Sequence, residues 1–234
     1  MTNSVKQGVL LTNIRLFFCR ILDISYNRIR SLKGLDTLLK LRKLFLASNK
    51  IQKIENLSHL TNLTLLELGD NKIRKIENLE GLENLTELHL GKNKITKIEN
   101  LDFLPKLEIL GLMSNRIVKI EGFEKLVTLK ELYLSENGIE QIEGLNGCKE
   151  LNTLDLASNK IKVIDNIDHL TELSEFWLNS NSVDDWKCVE KLKNLNNLET
   201  VYLEHNPIAT DAAYRRKLKL ILPNLMQIDA TLCR

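Results

Sequence analysis

Acidic and aromatic residues recur at a fixed interval along this chain. The series, called here the aromatic–acidic row, is Asp23, Phe45, Glu67, His89, Gly111, Tyr133, Asp155, Trp177 and Tyr202. Its members are 22 residues apart, except that Tyr202 follows Trp177 after 25. Carboxylates bind basic groups, and Trp and Tyr are enriched where proteins bind one another. The row therefore predicts recognition of a protein surface that carries basic and apolar groups.

A second series lies two residues before the first. This flanking row is Ile21, Lys43, Leu65, Glu87, Ile109, Glu131, Thr153, Glu175 and Thr200. Residues two apart in a strand point to the same face of a sheet, so both rows are expected on one surface. Glu175 contributes a further carboxylate beside Trp177 and is a candidate binding residue.

The sequence lacks the signatures of the common catalytic and cofactor sites. It contains no Cys/His set with zinc-ligand spacing, no glycine-rich phosphate loop, no G-x-S-x-G turn and no H-E-x-x-H pair. Its many Asp and Glu residues are products of the repeating pattern. We therefore predict a protein that is not an enzyme, with no metal, no cofactor and no small-molecule substrate.

The elements that carry these rows follow from a repeated apolar frame. Each copy reads L-x-x-L-x-L-x-x-N-x-I-x-x-I-x-x-L-x-x-L, as from Leu63 to Leu82, and the asparagine recurs nine times. L-x-L has the two-residue period of a strand, and I-x-x-I-x-x-L-x-x-L has the three-residue period of a 3₁₀ turn. The pattern is that of leucine-rich repeats.

This resemblance predicts an α/β fold, a leucine-rich-repeat solenoid shaped like a horseshoe. Its parallel sheet would be concave, and its convex side would be 3₁₀ or helical. The repeated asparagines are expected inside the turn after each strand, where an amide can both donate to and accept from buried backbone groups. Stacked copies would form an asparagine ladder.

The pattern divides the chain into three parts. Residues 1–20 are a non-repeat or degenerate segment, residues 21–206 hold about nine repeats, and residues 207–234 form a C-terminal cap. Within the cap we predict a helix from Asp211 to Leu222, stopped by Pro223, and a short strand near Leu225 to Ile228. A cap would cover the open edge of the last repeat.

Composition excludes several classes of partner. A net charge of +2 gives no electrostatic reason to expect nucleic acid or an anionic membrane. No apolar run approaches the ~20 residues that span a bilayer. The four cysteines are scattered and form no terminal cluster, which favours a reducing compartment.

Particular motifs resemble the nuclear leucine-rich-repeat regulatory subunits of type 1 protein phosphatase. They include the Ile-Glu-Asn-Leu turns at 54–57, 76–79 and 98–101, Glu175-Phe176-Trp177, Tyr214-Arg215-Arg216-Lys217 and Gln227-Ile228-Asp229-Ala230-Thr231. The resemblance covers roughly residues 21–234. It implies a subunit of nucleus and cytoplasm that binds the phosphatase catalytic subunit through its concave face.

The resemblance also implies which residues bind. They are Asp23, Phe45, Glu67, Asp155, Glu175, Trp177 and Tyr202, to which the rows add Tyr133. His89 stands where the family has an aromatic residue and offers a smaller stacking area. The family has earlier repeats and an acidic leader, so we expect this chain to be an N-terminally truncated form.

A different interaction scaffold of the same repeat class is the alternative, of the axonemal or the spliceosomal type. An axonemal scaffold would associate with tubulin or dynein chains, and a spliceosomal one with RNA-binding subunits. The aromatic–acidic row favours the phosphatase subunit.

Overall fold

The computed structural model describes residues 18–233, which coil into one stack of short strands and turns. Nine three-residue strands, β1 to β9, each begin one coil. They are Ile21–Asp23, Lys43–Phe45, Leu65–Glu67, Glu87–His89, Ile109–Gly111, Glu131–Tyr133, Thr153–Asp155, Glu175–Trp177 and Thr200–Tyr202. Strands β10 (Gln227–Ile228) and β11 (Thr231–Leu232) follow. The predicted leucine-rich-repeat solenoid is confirmed.

All eleven strands belong to one sheet, ordered as they occur in the chain. Strands β1 to β10 are parallel, and β11 pairs with β10 in the antiparallel sense. The middle residue of each three-residue strand points into the core, as at Leu44, Leu66 and Phe176, which are fully buried. The face opposite the core carries both rows, and we call it the concave face.

The return segments show why the frame has a three-residue period. In the coil after Asn49, Leu60 N–H donates to Leu57 O (2.8 Å) and Leu63 N–H donates to Leu60 O (2.9 Å). Each such turn returns one apolar side chain to the core, whereas a continuous α-helix would rotate the same residues away from it. The convex side therefore consists mainly of single turns.

Helices occur in the described residues near the C-terminal end. Helix α1 is Trp186–Val189 and runs into a 3₁₀ segment at Glu190–Asn194. They occupy the one coil that is 25 rather than 22 residues long. A second 3₁₀ segment, Pro207–Thr210, precedes helix α2, Tyr214–Ile221.

The asparagine ladder is also confirmed. Asn71 Nδ2 donates to the carbonyls of Leu46 (3.0 Å), Leu68 (3.0 Å) and Gly69 (3.1 Å), and Asn71 Oδ1 accepts from Ile51 N–H (3.0 Å). Each of these amides thus joins two neighbouring coils. Because the backbone groups are buried, the ladder removes a desolvation cost that each coil would otherwise carry.

A left-handed backbone position explains the Asn of the Ile-Glu-Asn-Leu turns. Asn56, Asn78 and Asn100 have positive φ, as does Gly122 at the same place in a later coil. Asn and Gly tolerate this conformation better than other residues. The Asn78 amide also donates to Ile54 O (2.7 Å), which ties the turn to the preceding coil.

In the C-terminal cap, the Asp229 carboxylate accepts hydrogen bonds from the backbone of the last coil. Asp229 Oδ1 accepts from Leu203 N–H (2.9 Å), Glu204 N–H (3.0 Å) and the Tyr214 hydroxyl (3.2 Å). Helix α2 starts later than expected because Asp211 accepts from Ala213 N–H (2.8 Å) in the turn before it. The predicted cap strand is two residues long. Of the N-terminal segment predicted at 1–20, residues 1–17 lie outside the described part of the chain.

Candidate partner-binding face

Strand register brings the aromatic–acidic row together on the concave face. Asp23 is paired with Phe45, Phe45 with Glu67, and Glu67 with His89. Pairing continues through Gly111, Tyr133, Asp155, Trp177 and Tyr202. Neighbouring members are thus one strand apart, roughly 4.8 Å. All nine predicted binding residues lie on this face, Glu175 in the flanking row and the rest in the aromatic–acidic row.

Three aromatic rings make the C-terminal half of the row continuous. The Trp177 ring lies 6.2 Å from Tyr133 and 5.9 Å from Tyr202, measured between centroids, with interplanar angles of 60° and 64°. These are edge-to-face contacts, in which the positive edge of one ring meets the negative face of the next. The rings therefore hold one another in place before any partner arrives.

Asp155 lies in the row between Tyr133 and Trp177 and is only 6% exposed. Burial raises the pKa of Asp155, while hydrogen bonds from the Ser135 hydroxyl and the Ala157 N–H (2.9 Å) oppose that rise. A carboxylate buried between aromatic rings favours a partner group that brings positive charge or hydrogen-bond donors.

The Tyr133 hydroxyl forms a hydrogen bond within the chain. It donates to Glu131 Oε2 at 2.7 Å. Burial, followed by this hydrogen bond and the negative charge of Glu131, raises the pKa of Tyr133 well above its ordinary value. The Tyr133 hydroxyl proton is therefore used within the chain, and the ring remains for other contacts.

Trp177 differs from the other rings in its hydrogen bonding. Among residues 18–233, its Nε1 is the one buried side-chain nitrogen or oxygen without a hydrogen-bond partner. Native proteins leave few such groups unsatisfied, and each calls for an explanation. A site that binds a partner is a place where such a group is tolerated.

The N-terminal half of the row is more polar. Glu67 Oε1 accepts from Gly69 N–H at 2.5 Å, and His89 Nε2 lies 3.8 Å from Glu87 Oε2. Burial raises the pKa of Glu67, and the Gly69 hydrogen bond and nearby His89 oppose that rise. Phe45 is half-buried and Asp23 is exposed.

Gly111 separates the two halves of the row. A Cβ placed there would lie 3.2 Å from His89 Nδ1 and 3.6 Å from Met113 Sδ. Met113 comes two residues after Gly111 on the same face, and its flexible side chain reaches across the space that the glycine leaves. Sequence reasoning missed Met113 because it compared only the two rows, although the spacing of two residues was visible.

Two residues of the C-terminal hairpin were also missed. Gln227 is paired with Thr200, and Leu232 is paired with Gln227, so both extend the flanking row beyond the last repeat. They follow no 22-residue interval, and the repeat pattern could not reveal them.

The described residues hold no group of three or more His, Cys, Asp or Glu side chains arranged to ligate a metal. Over the same part of the chain, no helix has the length and apolar character that crossing a membrane requires.

Family models match most of the repeat region. Residues 19–59 and 61–103 match a model described as leucine-rich repeats in two copies, and residues 105–161 match a second leucine-rich-repeat model. Both matches lie within the coils that carry β1 to β7.

Curated relatives match over a short stretch. Protein phosphatase 1 regulatory subunit 7 of Xenopus tropicalis is 62% identical over 37 residues, which is 16% of this chain and 11% of that protein. The human protein of the same name is 62% identical over 37 residues and is covered to 10%. The matched stretch thus spans about a tenth of each relative.

Solved structures resemble most of the chain. A leucine-rich-repeat protein of Leptospira interrogans superposes with a TM-score of 0.73 at 27% identity, covering 89% of this chain and 59% of that one. Internalin C2 of Listeria monocytogenes has a TM-score of 0.73 at 30% identity, covering 79% of this chain and 80% of that one.

Proposed function

The chain belongs to the leucine-rich-repeat proteins, and from that membership we propose that it is a non-catalytic regulatory subunit of type 1 serine/threonine protein phosphatase. Its concave face would bind the catalytic subunit and modulate the activity, maturation or localisation of that enzyme. The role of an interaction scaffold follows from the repeats themselves, whose stacked strands form an extended binding surface.

The single observation that carries the proposal is the contact of the Trp177 ring with Tyr133 and Tyr202 on the face where Asp155 is buried. Glu131 and Glu175 lie on the same face in the flanking row. A surface that contacts only water does not require a series of aromatic rings in contact with a buried carboxylate on the same face. The short identity to phosphatase 1 regulatory subunits supports the choice of this enzyme as the partner.

The chemistry of the cluster describes the surface that fits it. Carboxylates select basic side chains, and the ring faces accept apolar groups or stack with guanidinium. Because the rings are already packed against each other, binding would immobilise few side chains and lose little conformational entropy.

Substitution of Trp177 tests the proposal directly. We expect Trp177→Ala to weaken binding of the purified phosphatase catalytic subunit by about 30-fold, since central aromatic anchors contribute about 2 kcal/mol or more. Isothermal titration calorimetry measures the change. Phe103→Ala is the matched control, because Phe103 is a partly exposed ring on a convex return segment, and it should bind as the wild type does.

Equal affinity of the Trp177→Ala and Phe103→Ala variants would contradict the mapped face. Failure of the wild-type chain to bind the catalytic subunit would overturn the proposed function as a whole.

We further propose that this subunit acts in nucleus and cytoplasm. Affinity purification from cell extract with the wild-type chain and Trp177→Ala, followed by mass spectrometry, tests the partner without bias. Recovery of the phosphatase by the wild type alone supports the proposal, whereas tubulin, dynein chains or RNA-binding subunits would point to the axonemal or spliceosomal alternative.

A further inference from the structure

The C-terminal hairpin continues the concave face past the last repeat. Strand β10 adds to the sheet in parallel, with Gln227 opposite Thr200, and β11 adds in the antiparallel sense, with Leu232 opposite Gln227. Residues directly opposite in a sheet have their side chains on the same face. Gln227 and Leu232 therefore stand on the face that carries Tyr202.

Gln227 sets the direction of the hydrogen bond at Tyr202. Its Nε2 lies 2.8 Å from Asp229 O and 2.6 Å from Tyr202 Oη. A backbone carbonyl only accepts, so the atom beside it must be the amide nitrogen, and its second proton is directed to the tyrosine oxygen. Tyr202 thus accepts from Gln227 and keeps its own proton for a group outside the chain. The Tyr133 hydroxyl, in contrast, donates to Glu131.

Leu232 adds an apolar group beside this donor. Its relative exposure is 68%, although it belongs to a strand. Leu220 is 75% exposed but lies on helix α2, away from the paired strands. The two leucines therefore match in residue type and exposure and differ in the surface to which they belong.

We propose that this hairpin is part of the binding face, with Gln227 as a positioning residue for Tyr202 and Leu232 as a direct apolar contact. The inference rests on the proposed function and adds to it the chemistry of the opposing surface. Next to its basic groups, the partner presents a hydrogen-bond acceptor to the Tyr202 hydroxyl and an apolar side chain to Leu232. The continuity of the sheet from Tyr202 into the hairpin and the acidic character of the face both favour the same partner.

Leu232 is tested against Leu220. Leu232→Ser should weaken binding of the phosphatase catalytic subunit about 5- to 10-fold, the effect of truncating an interface residue worth more than 1 kcal/mol. Leu220→Ser should leave the affinity within about 2-fold of the wild type, since surface substitutions away from an interface have small effects. Equal affinities of the two variants would overturn the contact assigned to Leu232.

Gln227 is tested with a double-mutant cycle. In Gln227→Glu, the carboxylate accepts a hydrogen bond from the Tyr202 hydroxyl. This hydroxyl then no longer donates to the partner, and the affinity should fall about as far as in Tyr202→Phe. In the Tyr202→Phe background there is no hydroxyl to redirect, so Gln227→Glu should reduce the affinity less than it does in the wild type. The added charge and the lost bond to Asp229 O are common to both backgrounds, so the cycle removes them. An equal effect of Gln227→Glu in both backgrounds would overturn the positioning role.

The two levels of the proposal can fail separately. If the wild-type chain binds the catalytic subunit and Trp177→Ala weakens binding while Leu232→Ser does not, the hairpin is excluded and the proposed function stands. If the wild-type chain does not bind at all, both are overturned. Thermal unfolding of each variant distinguishes a loss of affinity from a loss of the folded structure.

Discussion

Asp155 illustrates at the scale of one residue what a buried carboxylate on the concave face costs in stability. Its carboxylate is buried between aromatic rings, and burial raises its pKa in the folded chain above the ordinary value of 3.8. The native state then binds a proton more readily than the unfolded state, so the ionised carboxylate destabilises the fold at neutral pH. As the pH falls through the raised pKa, protonation removes this cost.

We therefore expect Asp155→Asn to be more stable than the wild type at pH 7, because an amide can still accept from Ala157 N–H and carries no charge. The advantage should shrink as the pH falls through the raised pKa, where the wild-type carboxyl becomes protonated. Urea unfolding at several pH values measures both effects. Asp36→Asn, at an exposed carboxylate, is the control and should change stability little. A wild type more stable than Asp155→Asn at pH 7 would contradict the burial cost.

At the scale of elements, the asparagine ladder couples each coil to the next. Asn115 Nδ2 donates to Leu90 O (3.0 Å), Leu112 O (3.0 Å) and Met113 O (3.3 Å), and its Oδ1 accepts from Ile95 N–H (3.0 Å). We expect Asn115→Ala to lower the free energy of unfolding by about 1–3 kcal/mol for each backbone group left without a partner. Asn146→Ala, at an exposed asparagine, should be nearly neutral in the same urea titration. Similar stabilities of the two variants would show that the ladder is dispensable.

The register of these elements could be predicted from the sequence because the 22-residue interval leaves no freedom in strand pairing. A slip of one residue would turn Leu66 and its equivalents out of the core. The contacts among Tyr133, Trp177 and Tyr202 could not be predicted, because they depend on side-chain rotamers. Trp177 and Tyr202 lie on paired strands, but Tyr133 and Trp177 lie on strands that are not adjacent. The strand near Leu225 to Ile228 was predicted, but the place of Gln227 and Leu232 on the concave face was not, since both lie beyond the last asparagine, where the periodicity ends.

The binding roles of the nine residues remain predictions. Their common face follows from strand pairing, but pairing alone does not show which of them a partner contacts. Asp23 is exposed on β1, the strand of the first coil. His89 is separated from the aromatic rings of Tyr133, Trp177 and Tyr202 by Gly111. We expect the C-terminal half of the row to contribute more of the affinity, because its rings are packed and its carboxylates are close to them.

At the scale of the whole molecule, the overall charge of +2 conceals an uneven distribution. Carboxylates gather on the concave face at Glu67, Glu131, Asp155 and Glu175, so the field that a basic partner meets there is negative although the chain is weakly basic. Charges arranged in this way mainly accelerate association, and salt screens them over about 8 Å at physiological ionic strength.

The association rate constant for the phosphatase catalytic subunit should therefore fall as salt is raised from about 50 to 300 mM, with a smaller change in the dissociation rate constant. Glu175→Gln should flatten this salt dependence because it removes a charge from the face that the partner approaches. Glu143→Gln removes the same charge from a return segment on the opposite side and should leave the dependence as in the wild type. Surface plasmon resonance at several salt concentrations separates the two rate constants. If both variants shift the association rate equally, the partner responds to net charge and not to the concave face, and the carboxylates there need another explanation.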